Sequence, residues 1–176
     1  MAIRAIYPAT FDPITLGHVD IATRAAAIFG ELVVGVYDRP VKTLLFSAQE
    51  RWEMTRDVLA SLPNVRVERY KRLTVEFARQ QGATVIVRGL RALSDFEWEF
   101  QLALTNRRLD TEVDTICLMA AQEYSFLSSS VVKEVAFAGG DVSDMVPARV
   151  LEPLYKRIRE LGGDGTGKVK IVSLRD

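Results

Sequence analysis

The chain's only histidine, His18, sits in the segment YPATFDPITLGH, residues 7–18. A short apolar run ends there in a cluster of Pro, Thr, Asp and Pro, and Gly17 and His18 then open an alanine-rich helical stretch. In the first turn of a helix, unpaired backbone N–H groups and the positive end of the dipole favour anions. Gly17 removes side-chain bulk where a phosphate could approach, and the imidazole of His18 could then donate to it. Thr10 and Phe11 belong to the same turn. Further along, the segment RGLR places Arg88 at the close of a nearly all-apolar strand, a poor position for an unpaired cation. With Arg91 it offers two guanidinium forks suited to bidentate phosphate binding. Ser128, Ser129 and Ser130 precede another helix. One serine is enough for an N-cap, and three successive hydroxyls and amides form a concavity for phosphate. Lys42, in the loop RPVKT, adds a cation. Together these residues describe a site for a polyanionic nucleotide. No GxGxxG follows the first strand, which weakens a dinucleotide dehydrogenase reading, and no GxxxxGK[ST] occurs, which excludes an ordinary P-loop kinase.

The elements that must position these residues follow from periodicity. Strand-like runs occur at 3–7, 32–37, 65–70, 84–89 and 114–119. Helical spacing fills the gaps: about Gly17 to Phe29, ended by Gly30; a helix opening at Ser47 with Glu50 three residues on, a capping box; and Val75 to Gln81. A fourth helix opens near Ser94 with Glu97 in the same relation, a fifth follows the three serines, and a sixth runs from after Pro147 to about Leu161. Strand alternating with helix predicts an α/β fold, a Rossmann-like five-stranded parallel sheet of order 3-2-1-4-5 with helices on both faces. Ligands of such sheets bind outside the carboxyl ends of the strands, where the order reverses. The stretches holding Thr10, Phe11 and His18, then Lys42, then Leu73 and Thr74, then Arg88 and Arg91, and then QEYSFLSSS all fall on that rim.

At 176 residues the chain is long enough for one domain with a sizeable core, expected over 1–162, with a Gly-rich tail at 163–176 that is flexible or docks on a neighbouring surface. Lys plus Arg equal Asp plus Glu at 23 each, which argues against a general partner of nucleic acid or anionic membrane. The lone Cys117 excludes an internal disulfide and is expected to be a buried core thiol. No Cys/His cluster has zinc-ligand spacing, so no protein-held metal is expected. Neither a signal peptide nor an apolar run approaching ~18 residues is visible, and the expectation is a soluble, cytoplasmic protein.

YPATFDPITLGH, RGLRALSDFEWEFQLALTNRRL and EYSFLSSSVVKEVA, taken together, resemble the bacterial phosphopantetheine adenylyltransferases. These belong to the nucleotidyltransferase superfamily marked by [HT]xGH and an ISSSxxK/R-type segment. The resemblance covers about residues 3–160 in order. It implies transfer of AMP from ATP to 4′-phosphopantetheine, giving dephospho-coenzyme A and pyrophosphate. Carried over, Thr10 and His18 contact the reacting phosphates, with Phe11 contributing backbone contact. Lys42, Thr74 and Arg88 hold phosphopantetheine, with Leu73, Asn106 and Glu134 as further wall residues. Gly89, Leu90, Arg91, Glu99 and the stretch Tyr124, Ser125, Phe126, Leu127, Ser128, Ser129 and Ser130 hold ATP. The resemblance also implies Mg²⁺ with the triphosphate, a homohexamer of two trimers, and feedback inhibition by coenzyme A. Two residues depart from the family pattern. Ala9 stands where Gly is usual and would be strained if its φ were positive. Ala120 stands where Pro is frequent and is expected to leave the adjacent loop less rigid.

The implied nucleophile is a phosphate monoester with a second pKa of about 6, already largely dianionic at neutral pH. Catalysis can rest on in-line positioning and on stabilising charge at the α-phosphate, with His18 as a donor, Lys42 and Arg91 drawing two anions together, and no covalent intermediate. A sister nucleotidyltransferase with another phosphorylated acceptor, or a non-catalytic nucleotide sensor, would share much of the pattern.

Overall fold

A computed structural model describes residues 3–41 and 43–162. Lys42 and the expected tail at 163–176 lie outside the described residues. Twelve segments follow in order: β1 (Arg4–Ala9), α1 (Leu16–Ile28), β2 (Glu31–Tyr37), α2 (Ala48–Leu59), β3 (Val65–Tyr70), α3 (Thr74–Gln80), β4 (Val85–Leu90), α4 (Leu93–Leu109), β5 (Asp114–Met119), a short 3-10 turn (Gln122–Tyr124), α5 (Ser129–Phe137) and α6 (Ala148–Glu160). The strands form one sheet in the order β3-β2-β1-β4-β5, and every pairing is parallel. The strand order and helix sequence are those expected from the periodicity.

Alternation along the central strands sorts the core into two faces. Ala5, Tyr7, Leu32, Val34 and Val87 point to one side, where they meet α1, α5 and α6. Ile6, Val33 and Ile86 point to the other, where Val75, Phe77 and Ala78 of α3 cover them. Gly35 permits that second contact, since a Cβ there would stand 2.5 Å from Cε1 of Phe77. The capping box of Ser47 with Glu50 is present. The one expected at Ser94 and Glu97 is not: α4 starts at Leu93 with Ala92 as N-cap and no side-chain cap. Ser94 therefore lies inside the first turn, and the acid that works there is Asp95, which accepts from the backbone N–H of Arg91.

Cys117 also departs from expectation, because it is exposed. β5 is an edge strand, and along it Ile116 and Met119 are exposed as well. The apolar composition that reads as core in TICLM instead forms part of a face that the described residues leave uncovered. On α4, Phe96, Trp98, Phe100, Leu104 and Leu109 are exposed as well.

Candidate active site

A crevice of about 640 Å³ opens over the carboxyl ends of β1 and β4, the point where strand order reverses. Thr10, Phe11, His18, Arg88, Gly89, Arg91, Glu99, Tyr124, Leu127 and the three serines 128–130 all line it. Gly17 does too, and a Cβ there would meet only ordinary contacts, so the missing side chain leaves room for a ligand. Of the other described residues expected at the site, Leu73, Thr74, Leu90, Asn106, Ser125, Phe126 and Glu134 do not line it. Leu90 is buried at the end of β4. Thr74 stands behind the crevice, 3.3 Å from the hydroxyl of Tyr70, which does line it. Ser125 donates to the carbonyl of Gln122. Leu73 and Phe126 are exposed. Asn106 lies half-buried on α4, and Glu134 is exposed on α5.

His18 is the third residue of α1 and closes a capping box with Thr15. Its Nδ1 accepts the backbone N–H of Thr15 at 3.0 Å, and the Thr15 hydroxyl stands 2.9 Å from the same nitrogen. With Nδ1 accepting, the proton of a neutral imidazole sits on Nε2. The usual acid of a capping box is thus replaced by a ring fixed in one tautomer. Phe11, whose ring centroid lies 5.0 Å away edge-on, packs against it. Phe11 holds φ at +52°, which costs a non-glycine residue about 1–2 kcal/mol. The ring's near-complete burial and its second contact, with Tyr7 at 5.7 Å, offset that cost. Positive φ therefore falls on Phe11. Ala9 ends β1 within the pairing to β2, without the strain its replacement of Gly raised.

The two guanidinium groups share one arrangement. Arg88 places Nε and Nη2 on the two carboxylate oxygens of Glu99, at 2.7 and 2.6 Å, and Nη1 on the carbonyl of Pro8. Arg91 places Nε and Nη2 on Asp95, and Nη1 on the carbonyl of Leu127. Each bidentate edge thus faces a carboxylate, where the sequence reading expected a phosphate. Among the described residues three of five N–H donors of each group are engaged, which leaves two for an anion. Burial opposes the charge on Arg88, but the hydrogen bonds and charge of Glu99 outweigh it and hold the group above its ordinary value. The serines divide similarly: Ser128 caps α5 by accepting from Val131 N–H, and Ser129 donates to the carbonyl of Pro13.

Several residues of the site were not visible as such in the sequence. Asp12 is 1% exposed, accepts from the backbone N–H groups of Leu45 and Phe46, and pairs with Lys133 of α5 at 2.8 Å. That pair ties the turn after β1 to the helix that carries the serines. Tyr7, Tyr37, Tyr70 and Trp98 supply aromatic walls, and burial pushes the Tyr7 phenol well above its usual range, so it stays neutral. An Asp-Pro turn and a lysine in SSSVVK were the available signals, and only the structure joins them.

The family model described as cytidylyltransferase-like matches residues 6–135. A phosphopantetheine adenylyltransferase of Herpetosiphon aurantiacus is 56% identical over 83% of this chain and 88% of its own length. One from Thermomicrobium roseum is 51% identical over 92% of this chain and 98% of its own. A solved structure from Vibrio parahaemolyticus, provisionally assigned as a nicotinate-nucleotide adenylyltransferase, superposes with a TM-score of 0.66 at 15% identity, covering 90% of this chain and 95% of that one, a likeness of fold alone. The chain belongs to the cytidylyltransferase-like family and, within it, to the phosphopantetheine adenylyltransferases.

Proposed function

We propose that this chain transfers AMP from ATP to the phosphate of 4′-phosphopantetheine, giving dephospho-coenzyme A and pyrophosphate. The observation that carries the reading is the histidine at the start of α1, pinned at Nδ1 so that Nε2 carries a proton at the mouth of a nucleotide-sized crevice. The acceptor phosphate is its own nucleophile, so no protein base is needed. His18 donates to the charge that builds on the α-phosphate, and Thr10 contacts the same group beside it. Gly89, Arg91 and the α5 N-terminus hold ATP, with Tyr124 and Leu127 as its apolar seat. Arg88 reaches the acceptor phosphate with the N–H donors that Glu99 leaves over, and Lys42 and Arg91 bring the two anions together against their repulsion. Leu73, Thr74, Asn106 and Glu134 belong to the acceptor side and act through Tyr70 and the neighbouring walls or in an assembled oligomer.

Mg²⁺ enters as part of the nucleotide. Among the described residues no group of three His, Cys, Asp or Glu is placed to hold a cation, and the two carboxylates lining the crevice are each engaged by a guanidinium. An ion that keeps most of its water and binds through substrate phosphates needs no such cage. The reading extends to a homohexamer, supported by the apolar surface of α4 and β5 that the described residues leave exposed, and to inhibition by coenzyme A, which carries both halves of the product and would compete with the substrates for the same crevice. No helix among the described residues is long and apolar enough to cross a membrane, in keeping with work in the cytoplasm.

The test is pyrophosphate release with ATP and a panel of phosphorylated acceptors. Phosphopantetheine is expected to be used far better than nicotinate mononucleotide or glycerol phosphate. Release with another acceptor alone would move the chain to a sister activity, and ATP binding without release would leave a sensor.

A further inference from the structure

Arg51 of α2 is 0% exposed and is the largest fully buried side chain among the described residues. Its described partners are backbone carbonyls from three parts of the chain. Nη1 donates to Thr10 at 2.6 Å and to Tyr37 at 2.8 Å. Nε donates to Phe46 at 3.2 Å and Nη2 to Asp38 at 3.4 Å. Thr10 and Tyr37 lie at the carboxyl ends of adjacent strands, β1 and β2. Asp38 and Phe46 are the two ends of the loop that leaves β2, and Pro40 and Val41 within it line the crevice. One planar cation therefore joins the turn carrying Thr10 to both ends of the opposite wall. The same loop is gripped from outside by Arg157 of α6, which donates to the carbonyl of Leu45 and lies 5.3 Å over the Phe46 ring.

We infer that Arg51, backed by Arg157, is a positioning residue for the transfer. It sets the gap between Thr10 and the 38–46 loop, and so the alignment of the acceptor with the α-phosphate. Among the described residues no carboxylate is hydrogen-bonded to this cation, and the charges of Asp12 and Asp38 nearby favour it less than burial opposes it. Such burial is costly, and four carbonyls converging on a rigid fork offset the cost only in one geometry. A lysine has the charge but not the fork, and cannot hold four acceptors in a plane. Arg51 reaches the ATP side only through the Thr10 carbonyl, while the rest of the ATP seat, on α1, the end of β4 and α5, stands apart from it, so the partner chiefly loosened is the acceptor.

This inference rests on the proposed activity, and the test separates the two. The wild type and Arg51→Lys are compared by melting temperature, by ATP affinity from calorimetry, and by pyrophosphate release with acceptor and ATP varied in turn. Per folded molecule, Arg51→Lys is expected to raise the acceptor KM and lower kcat, each by about tenfold or more, since small misplacements of reacting groups carry losses of that order. Its ATP Kd should stay within about twofold of wild type. Amide hydrogen exchange should speed up at 10–12 and 38–46 but not in α5. A melting temperature that drops while acceptor KM and kcat per folded molecule hold at wild-type values would make Arg51 a support of the fold only, and overturn the inference. An acceptor KM and an ATP Kd that weaken in parallel would do the same. If Arg51→Lys does not fold, Arg157→Gln, on the half-buried outer side, decides: a rise in acceptor KM with unchanged ATP affinity supports the positioning of the loop, and an unchanged KM overturns it. A wild type that releases no pyrophosphate with phosphopantetheine refutes the activity, and the exchange comparison at 38–46 still decides the role of Arg51.

Discussion

At the scale of single residues, His18, Arg88 and Arg91 were legible in the sequence because each is a chemically costly residue at a rim position, and Thr10 through its place on the same rim and the family resemblance. Their partners were not legible. Nothing local in the sequence says that Nδ1 of His18 takes the Thr15 N–H, or that Arg88 and Glu99, eleven positions apart, form one unit. His18→Ala should leave ATP binding nearly intact and lower turnover by the ~10²–10³-fold typical of losing one oriented donor. His18→Gln, which can still donate from near the Nε2 position, should recover part of that loss, and a general base could not be replaced in this way. A chiral α-phosphorus should invert through the single in-line step, so retention of configuration would show a covalent adenylyl-enzyme and end the donor model. Arg88→Ala should cost acceptor use far more than ATP binding, and should also destabilise the protein by up to about 3 kcal/mol, because it leaves the Glu99 carboxylate buried alone. Adding Glu99→Gln should restore the melting temperature without restoring the acceptor KM. Joint recovery would mean that Arg88 acts only through Glu99.

At the scale of elements, periodicity predicted strands and helices closely because both sheet faces are covered and each pattern repeats several times. It failed where a pattern has two physical meanings. Ser94 with Glu97 has the spacing of a capping box, yet Asp95 is bound to Arg91 and the helix starts two residues earlier than that box would place it, with Ala92 as its N-cap. The apolar residues of β5 read as core but lie on an edge. The amino ends of the strands carry a contact that no motif announces: Glu31 of β2 is held by Arg66 of β3 and Arg4 of β1, each at 2.6 Å. The hydrogen bond from Arg66, aided by that from Arg4, keeps the Glu31 carboxyl below its ordinary value of 4.5 against the opposing effect of burial. A depressed folded-state value means that the contact contributes stability above the unfolded value and loses it as pH falls through the folded one. The urea midpoint should therefore fall as pH drops from about 5 toward 3, with Glu31 supplying about 0.5–1 kcal/mol, the range of partly exposed pairs. Glu31→Gln should lower the midpoint at neutral pH and flatten that part of the acid slope. An unchanged slope would move the acid sensitivity to other carboxylates, such as Asp110 beside Arg79.

At the scale of the whole molecule, the open question is what covers α4 and β5. Phe96, Phe100 and Leu104 are 53%, 52% and 57% exposed at four-residue spacing along one helix, and among the described residues β5 is the edge of the sheet beside them. A chain of zero formal charge with such a face gains by burying it against copies of itself, and closed symmetry does this without leaving an edge. Trp98 and Glu99 are neighbours on α4, and both line the crevice, so the same helix would carry the interface on one side and the acceptor wall on the other. Light scattering should return six copies of the 19.7 kDa chain, about 118 kDa. Leu104→Glu, outside the crevice lining, should lower the mass to that of a smaller species. Its acceptor KM should rise as α4 loses its support, while ATP affinity, held by α1 and α5, should change little. A monomeric wild type at micromolar concentration would remove the hexamer, and a smaller Leu104→Glu species with an unchanged acceptor KM would show that the interface and the acceptor wall are independent.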